Sequence, residues 1–340
     1  MGLARRLRTL RGWKAYGGKG TKCFMNDLKS LVLSAALVFL TAPLFYSQTL
    51  APRAYVVTPV DSTAVTVGSE VRRGGVLFDT SLPLTDSSGT IWLITPTYYH
   101  SLNFFGRSCN ITAGLPYAVS NFLASVGNQR PSTYRSGLGD GGVRFSVNLM
   151  GGPAMKLPEF MKWKQKRVLG VSLFAQVPTG QYDPRLPINI GTNRWALKPE
   201  LGYSERHGNW LVDVYGGVWF FTKNPEFISG GKLVPGPELR TQKPVGVVEG
   251  HLSYDFKPRL WVSVDGNFWY GGRSSINGVE DRTTLQRNSR VGATAAIPIT
   301  GHQTLKFNYD RGAVIRFGGD FQSVQVAWQY SWTGGWLPKR

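Results

Sequence analysis

Between Gly246 and Gly272 polar and apolar residues change places at almost every step. In the first arm Val248, Leu252, Tyr254 and Phe256 alternate with Glu249, His251, Ser253 and Asp255. After Lys257, Pro258 and Arg259, a second arm sets Leu260, Val262, Val264, Phe268 and Tyr270 against Ser263, Asp265, Asn267 and Trp269. Successive strand side chains point to opposite faces, so each arm has one apolar and one polar face. The arms exceed the mean strand of about 5–6 residues and reach the roughly 9–11 that a tilted strand needs to cross a bilayer. The pattern predicts a pair of membrane-crossing strands joined by a short turn.

The same parity predicts strands at Gly142–Leu149, Val168–Pro178, Trp210–Phe221, Arg290–Ile299, Thr304–Asp310 and Phe321–Trp332. Weaker alternation marks Ser62–Arg73, Thr90–Ser101, Gly106–Leu115 and Arg194–Ser204. With the opening hairpin this gives about twelve strands, an even number as bacterial barrels require. The expected fold is therefore all-β, an antiparallel transmembrane β-barrel.

Connections between these strands alternate in length. Short ones fall at Leu102–Phe105, His207–Gly208, Lys257–Arg259 and Gly301–Gln303. Long ones fall at Pro116–Leu138, Pro178–Asn193, Thr222–Pro244 and Gly271–Arg287. Outer-membrane barrels have short periplasmic turns and longer extracellular loops, which places both ends of the barrel in the periplasm. Met150–Arg167 is long but falls on the periplasmic side, and its Leu157–Lys166 stretch reads as a short basic helix at the membrane surface. A two-residue turn at His207–Gly208 would put Tyr203 opposite Val212 and Leu201 opposite Val214. A three-residue turn at Lys257–Arg259 would oppose Leu252 to Val264 and His251 to Asp265. Tyr98, Tyr99, Trp210, Tyr254, Trp261 and Trp332 near one set of strand ends, and Trp219, Trp269 and Tyr270 near the other, suggest aromatic girdles.

The beginning of the chain reads differently. Leu31–Phe45 is an apolar run behind a stretch with eight basic residues, too short to span as a helix. A basic region, a short apolar core and a polar exit are the marks of a secretory signal peptide. Residues 1–48 are assigned to it, with Met25 a candidate true start and cleavage between Ala42 and Gln48. Residues 49–61 then form an N-terminal periplasmic segment that folds inward as a plug, links plainly to the barrel or extends its first strand. Residues 62–340 form the barrel. Loss of the leader would remove Cys23 and leave Cys109 alone, so no intramolecular disulfide is expected.

Residues 1–48 hold eight basic side chains and one acid, so the chain's 39 basic and 20 acidic residues fall to a net +12 beyond them. Such a charge suits the phosphate-rich outer leaflet or the steering of anionic solutes. The expected partners are outer-membrane lipid and lipopolysaccharide, the barrel-assembly machinery during insertion, and a small-molecule solute. Nucleic acid is not among them, since the leader marks an exported chain and no aromatic RNA motif is present. No metal cluster, phosphate loop or cofactor motif is present either.

Several blocks resemble one outer-membrane family. They are Pro52–Pro59, Asn193–Tyr203, Gly216–Phe221, Glu249–Gly272 and Trp328–Trp332. The family is that described as the "putative MetA-pathway of phenol degradation". The resemblance implies an outer-membrane barrel with a part in moving small, often aromatic, compounds, but it supplies no defined binding residues. Trp332 resembles a terminal assembly signal, except that Thr333–Arg340 follow it.

If the apolar faces meet lipid, the opposite faces line the lumen. The candidates are Arg144, Asn148, Lys198, Glu200, Asp213, Glu249, His251, Asp265, Asn267, Arg290 and Lys306. They either pair to hold the wall or form a polar constriction that selects solutes. The leading function is a passive channel for small, aromatic or anionic compounds, and not an enzyme. The alternatives are a hydrolase using Ser253 with His251 and Asp265, for which no nucleophile elbow is present, and a structural or adhesive barrel.

Overall fold

The computed structural model describes residues 50–77, 85–125, 132–186, 189–227 and 237–335. The leader assigned to residues 1–48, with its cleavage site, lies outside them. The wall begins with β1 (Ser62–Leu77), β2 (Thr85–Phe104), β3 (Arg107–Gly114), β4 (Tyr117–Ser125), β5 (Ser132–Leu138) and β6 (Gly141–Met150). A one-turn helix, α1 (Leu157–Phe160), precedes β7 (Arg167–Val177), β8 (Ala196–His207) and β9 (Trp210–Phe221). Next come β10 (Asn224–Phe227), β11 (Glu238–Gln242), β12 (Val245–Lys257) and β13 (Leu260–Gly271). The chain ends with β14 (Ser274–Ile276), β15 (Val279–Asp281), β16 (Gln286–Pro298), β17 (Gln303–Val314) and β18 (Gly318–Thr333).

Because β3 with β4, and β5 with β6, each form one interrupted crossing, the main sheet closes as a twelve-stranded antiparallel barrel. Closure is made by β1, which pairs with β2 on one side and with β18 on the other, from Ser62↔Thr333 to Leu77↔Gly318. Closure satisfies every strand edge internally, the condition for standing in lipid. The twelve crossings are those that alternation predicts. Outward rows such as Val212, Val214, Val218 and Phe220, or Leu252, Val262, Val264 and Phe268, are exposed and form the apolar band.

Five details differ from the sequence expectation. First, Pro116–Leu138 is not one long loop: Tyr117–Ser125 and Ser132–Leu138 continue the wall beyond the bilayer-sized length. The bends at Leu115–Pro116 and Gly139–Asp140 hid that continuation, because a break in register shifts the parity. Second, the turn after β8 is Gly208–Asn209, with His207↔Trp210, Glu205↔Val212 and Tyr203↔Val214. The shift is by two residues, so each side chain keeps its face. Third, only one turn of the Leu157–Lys166 helix forms, opened by Pro158 in its first turn. Fourth, β10, β11, β14 and β15 make a separate four-stranded sheet from the long loops. Fifth, the turn between β12 and β13 is Pro258–Arg259 and not Lys257–Arg259, since Lys257 pairs with Leu260; an irregularity between Asp255 and Lys257 restores the expected Leu252↔Val264, Tyr254↔Val262 and His251↔Asp265.

Candidate functional site: the barrel interior

The eleven candidate residues are buried or half-buried, and most are tied to one another. Glu200 on β8 meets Arg144 at 2.9 Å and Lys198 at 2.6 Å, and Lys198 reaches Glu249 at 3.6 Å. Across the β12–β13 pair His251 Nδ1 lies 2.8 Å from Asp265. Asp265 also accepts from the Ser263 and Thr294 hydroxyls at 3.1 and 2.7 Å. Asp213, paired in register with His251 from the other side, accepts from Ser204 at 2.5 Å. Arg290 contacts Asp310 at 2.7 Å and donates to the Phe321 carbonyl and Ser323. Asn267 accepts the Arg290 backbone N–H, and Asn148 donates to the Tyr55 carbonyl. Lys306 is half-buried.

Residues 50–60 lie against this inner face. Arg53 pairs with Asp255 at 2.8 Å and stacks over Trp261. The Ala54 N–H donates to Tyr215 Oη, and the Tyr55 hydroxyl meets Ser172 and Glu200, each at 3.0 Å. Val57 N–H donates to Gln165, and Thr58 bonds Tyr99 Oη. Gly170 and Gly202 leave the space that the Tyr55 ring fills: a methyl at either position would overlap it. Two glycines at inward positions of adjacent strands were the sequence signal for this seat. The segment also packs with Met155 and Val168, so the long connection between β6 and β7 lies against it.

Above the ion pairs, towards the long loops, the inner face changes character. Phe174, Ala196, Trp219, Val245, Val247 and Trp269 form one buried apolar cluster. Ile91, Leu93, Ala118, Phe122 and Phe321 form a second. Trp219 and Trp269 are each 2% exposed, so they point inwards and are not girdle residues. Trp261 likewise faces inward, under Arg53, while Trp210 and Tyr270 do remain exposed. Strand parity puts Trp219, Trp261 and Trp269 on the inner face, although all three stand near strand ends, where girdle aromatics also gather.

The loops that frame the long-loop mouth are knitted by polar contacts. Asn224 donates to Tyr182 Oη, whose hydroxyl donates to the Glu226 carbonyl. Asp183 accepts from the Arg185 side chain and backbone, and those bonds hold its carboxyl down at about 2. Burial, with Arg240 nearby, pushes the Arg194 guanidinium down to about 9. Its Nη2 donates to Gln242 and its face lies over Phe221.

Comparison with known proteins sets this interior in a family. The family described as "Putative MetA-pathway of phenol degradation" matches residues 81–316. An outer membrane channel from Pseudomonas putida F1 has 18% identity and a TM-score of 0.67, covering 84% of this chain and 100% of its own. The likeness shows the shared barrel fold. The β domain of a Bordetella autotransporter follows at 10% identity and a TM-score of 0.44, covering 79% and 98%. No functionally curated protein matches the sequence.

Proposed function

Because this chain belongs to the family described as "Putative MetA-pathway of phenol degradation", we propose that it is an outer-membrane channel for small compounds with an apolar body. One observation carries the reading: an inward layer of Phe174, Trp219, Val247 and Trp269 stands directly above the charged belt of Lys198, Glu200 and Glu249. A barrel filled only to hold its shape needs no apolar ring on its water side, and an aqueous porin interior is polar. A ring of aromatics above fixed charges suits a solute whose apolar part is drawn in first and whose polar group is then handed down. In this reading residues 50–60 are a plug across the periplasmic half, and the eleven charged and amide residues form the constriction. Its partners are outer-membrane lipid and lipopolysaccharide, the assembly machinery, and the solute.

The hydrolase alternative loses support at its first link. Among the described residues Ser253 Oγ has no hydrogen-bond partner, and His251 turns Nδ1 to Asp265 and Nε2 towards Glu249 at 3.7 Å. A nucleophile needs its base within hydrogen-bond reach. The test of the channel is single-channel conductance of the purified protein in planar bilayers, together with phenol flux into liposomes. Discrete openings and phenol entry faster than through empty liposomes are expected; a silent barrel with no added flux would sink the proposal.

A further inference from the structure

We propose that Arg73 and Arg311, on the outer wall beside the closing seam, form a binding site for the phosphate of a phosphorylated glycolipid, the lipid A part of lipopolysaccharide. The inference rests on the outer-membrane placement of the barrel and not on conduction through it.

Register builds the site as a row across four strands. Arg311 on β17 is the partner of Gln322 on β18, Gln322 of Arg73 on β1, and Arg73 of Thr90 on β2. Partnered residues share a face of the sheet. Arg311, Gln322 and Arg73 are exposed, whereas the preceding residues Asp310, Phe321 and Arg72 are buried, so the row points out of the barrel. Neighbouring strands lie about 4.7–4.9 Å apart, which sets the two arginine backbones roughly 10 Å apart. Two long side chains at that spacing can meet on one group over Gln322. Two residues nearer the periplasm, the same strands carry Tyr309, Val324, Val71 and Trp92, again in register. The next pair of residues down brings Phe307, Val326, Ser69 and Ile94. Tyr309, Val324, Trp92 and Phe307 are exposed. On all four strands the outer wall therefore changes from apolar to hydrogen-bonding within two residues, at the level of Trp92 and Tyr309. Aromatics on the outer face mark the border between hydrocarbon and headgroups.

The chemistry of the row selects the occupant. A guanidinium offers donors and no acceptor, and the Gln322 amide and Thr90 hydroxyl add further donors. Among the described residues neither Arg73 nor Arg311 has an ion pair or a side-chain hydrogen bond. A phosphate brings acceptor oxygens and negative charge, and the planar fork of arginine takes two of those oxygens at once. The acyl chains of the same lipid then run down the apolar rows below, which a free phosphate leaves bare. Asp320, exposed two residues above Gln322 on β18 and opposite Gly75, sets a like charge over the row. It holds the phosphate at the level of the arginines. Because the row crosses from β18 to β1, the bound lipid also lies over the seam.

The test is native mass spectrometry of the purified protein, refolded into detergent free of lipid. It is titrated with diphosphoryl lipid A, with lipid A stripped of its phosphates, and with phosphatidylglycerol. The same titrations are run on Arg73→Gln with Arg311→Gln, and on Lys162→Gln with Lys164→Gln, which removes equal charge from the exposed β6–β7 connection. Folding of each is checked by heat-modifiable mobility. Diphosphoryl lipid A should bind the unaltered protein at least tenfold tighter than either other lipid. The arginine variant should lose at least tenfold for it, and the lysine variant should match the unaltered protein. Equal affinity for lipid A with and without phosphates, no loss in the arginine variant, or equal losses in both variants would overturn the site. Phosphatidylglycerol binding as tightly as lipid A, or displacement of lipid A by an equal concentration of inorganic phosphate, would overturn the glycolipid as its occupant. Should the arginine variant not fold, the two single substitutions and the lipid comparison on the unaltered protein still decide. A conducting barrel with no preference for lipid A overturns this site and leaves the channel standing; a silent barrel that keeps the preference does the reverse.

Discussion

Asp265 shows how much one carboxylate holds in this interior. It receives His251, Ser263 and Thr294 from three different positions and is fully buried. Removing one partner of a buried pair leaves the other uncompensated, at about 3–5 kcal/mol. Asp265→Ala should therefore lower stability by that amount in urea titrations of the lipid-reconstituted barrel. Replacing His251 and Asp265 together with Leu should recover much of it. Gly202→Ala tests packing instead. Its methyl would overlap the Tyr55 ring, so Tyr55 must leave its seat, and conductance should rise in single-channel recording. Asp183 gives a pH test outside the membrane. A carboxylate held low by Arg185 contributes order above the ordinary Asp value of roughly 3.9 and loses it as pH falls through about 2. Arg185→Gln should move its titration, followed by carbon NMR of the carboxyl, back up towards the ordinary range.

At the scale of elements, the N-terminal segment is the piece whose removal is most informative. Its contacts run from Tyr99 on β2 through Tyr55's partners on β7 and β8 to Arg53's partners on β12 and β13. Deleting residues 50–60 should raise single-channel conductance several-fold while leaving heat-modifiable mobility unchanged. An unchanged conductance would show that the segment does not obstruct the pore. The sequence alone held this segment open between plug, linker and strand extension. Its alternation is too short to decide, and its seat is built by residues far along the chain, Gly170, Gly202 and Tyr215. By contrast the register of the β12–β13 hairpin was legible, though its turn is one residue shorter than read. Pro258 and Arg259 end one periodic run and start the next, and facing apolar positions fix the register.

For the whole molecule, the twelve crossings were readable because lipid on one side and charge on the other impose a period of two along every strand. The inner apolar layer was legible only through strand parity, because the residue type of Trp219 and Trp269 suits a girdle as well as the interior. The lipid face itself predicts a depth profile. Val264, mid-strand on β13 and 68% exposed, should cost about 2–4 kcal/mol when changed to Arg, against about 0–1 kcal/mol near the interface. Phe256, beside the periplasmic turn, supplies the second case, and refolding into vesicles of short-chain lipid measures both. Equal costs would contradict the placement of the band.

The pairing of β1 with β18 also orders events in time. The first strand of the wall finds its second partner only in the last, Ser62 against Thr333. The other ladders of the barrel wall join crossings that follow one another along the chain, but this seam waits for the whole chain. Bringing such distant ends together is slow because the entropy of closure precedes its reward. Until then β1 and β18 each present a bare edge, so the nascent protein is most prone to stray pairing in the interval between synthesis and sealing. A probe pair across the seam should therefore report a later refolding phase than a pair across β12 and β13.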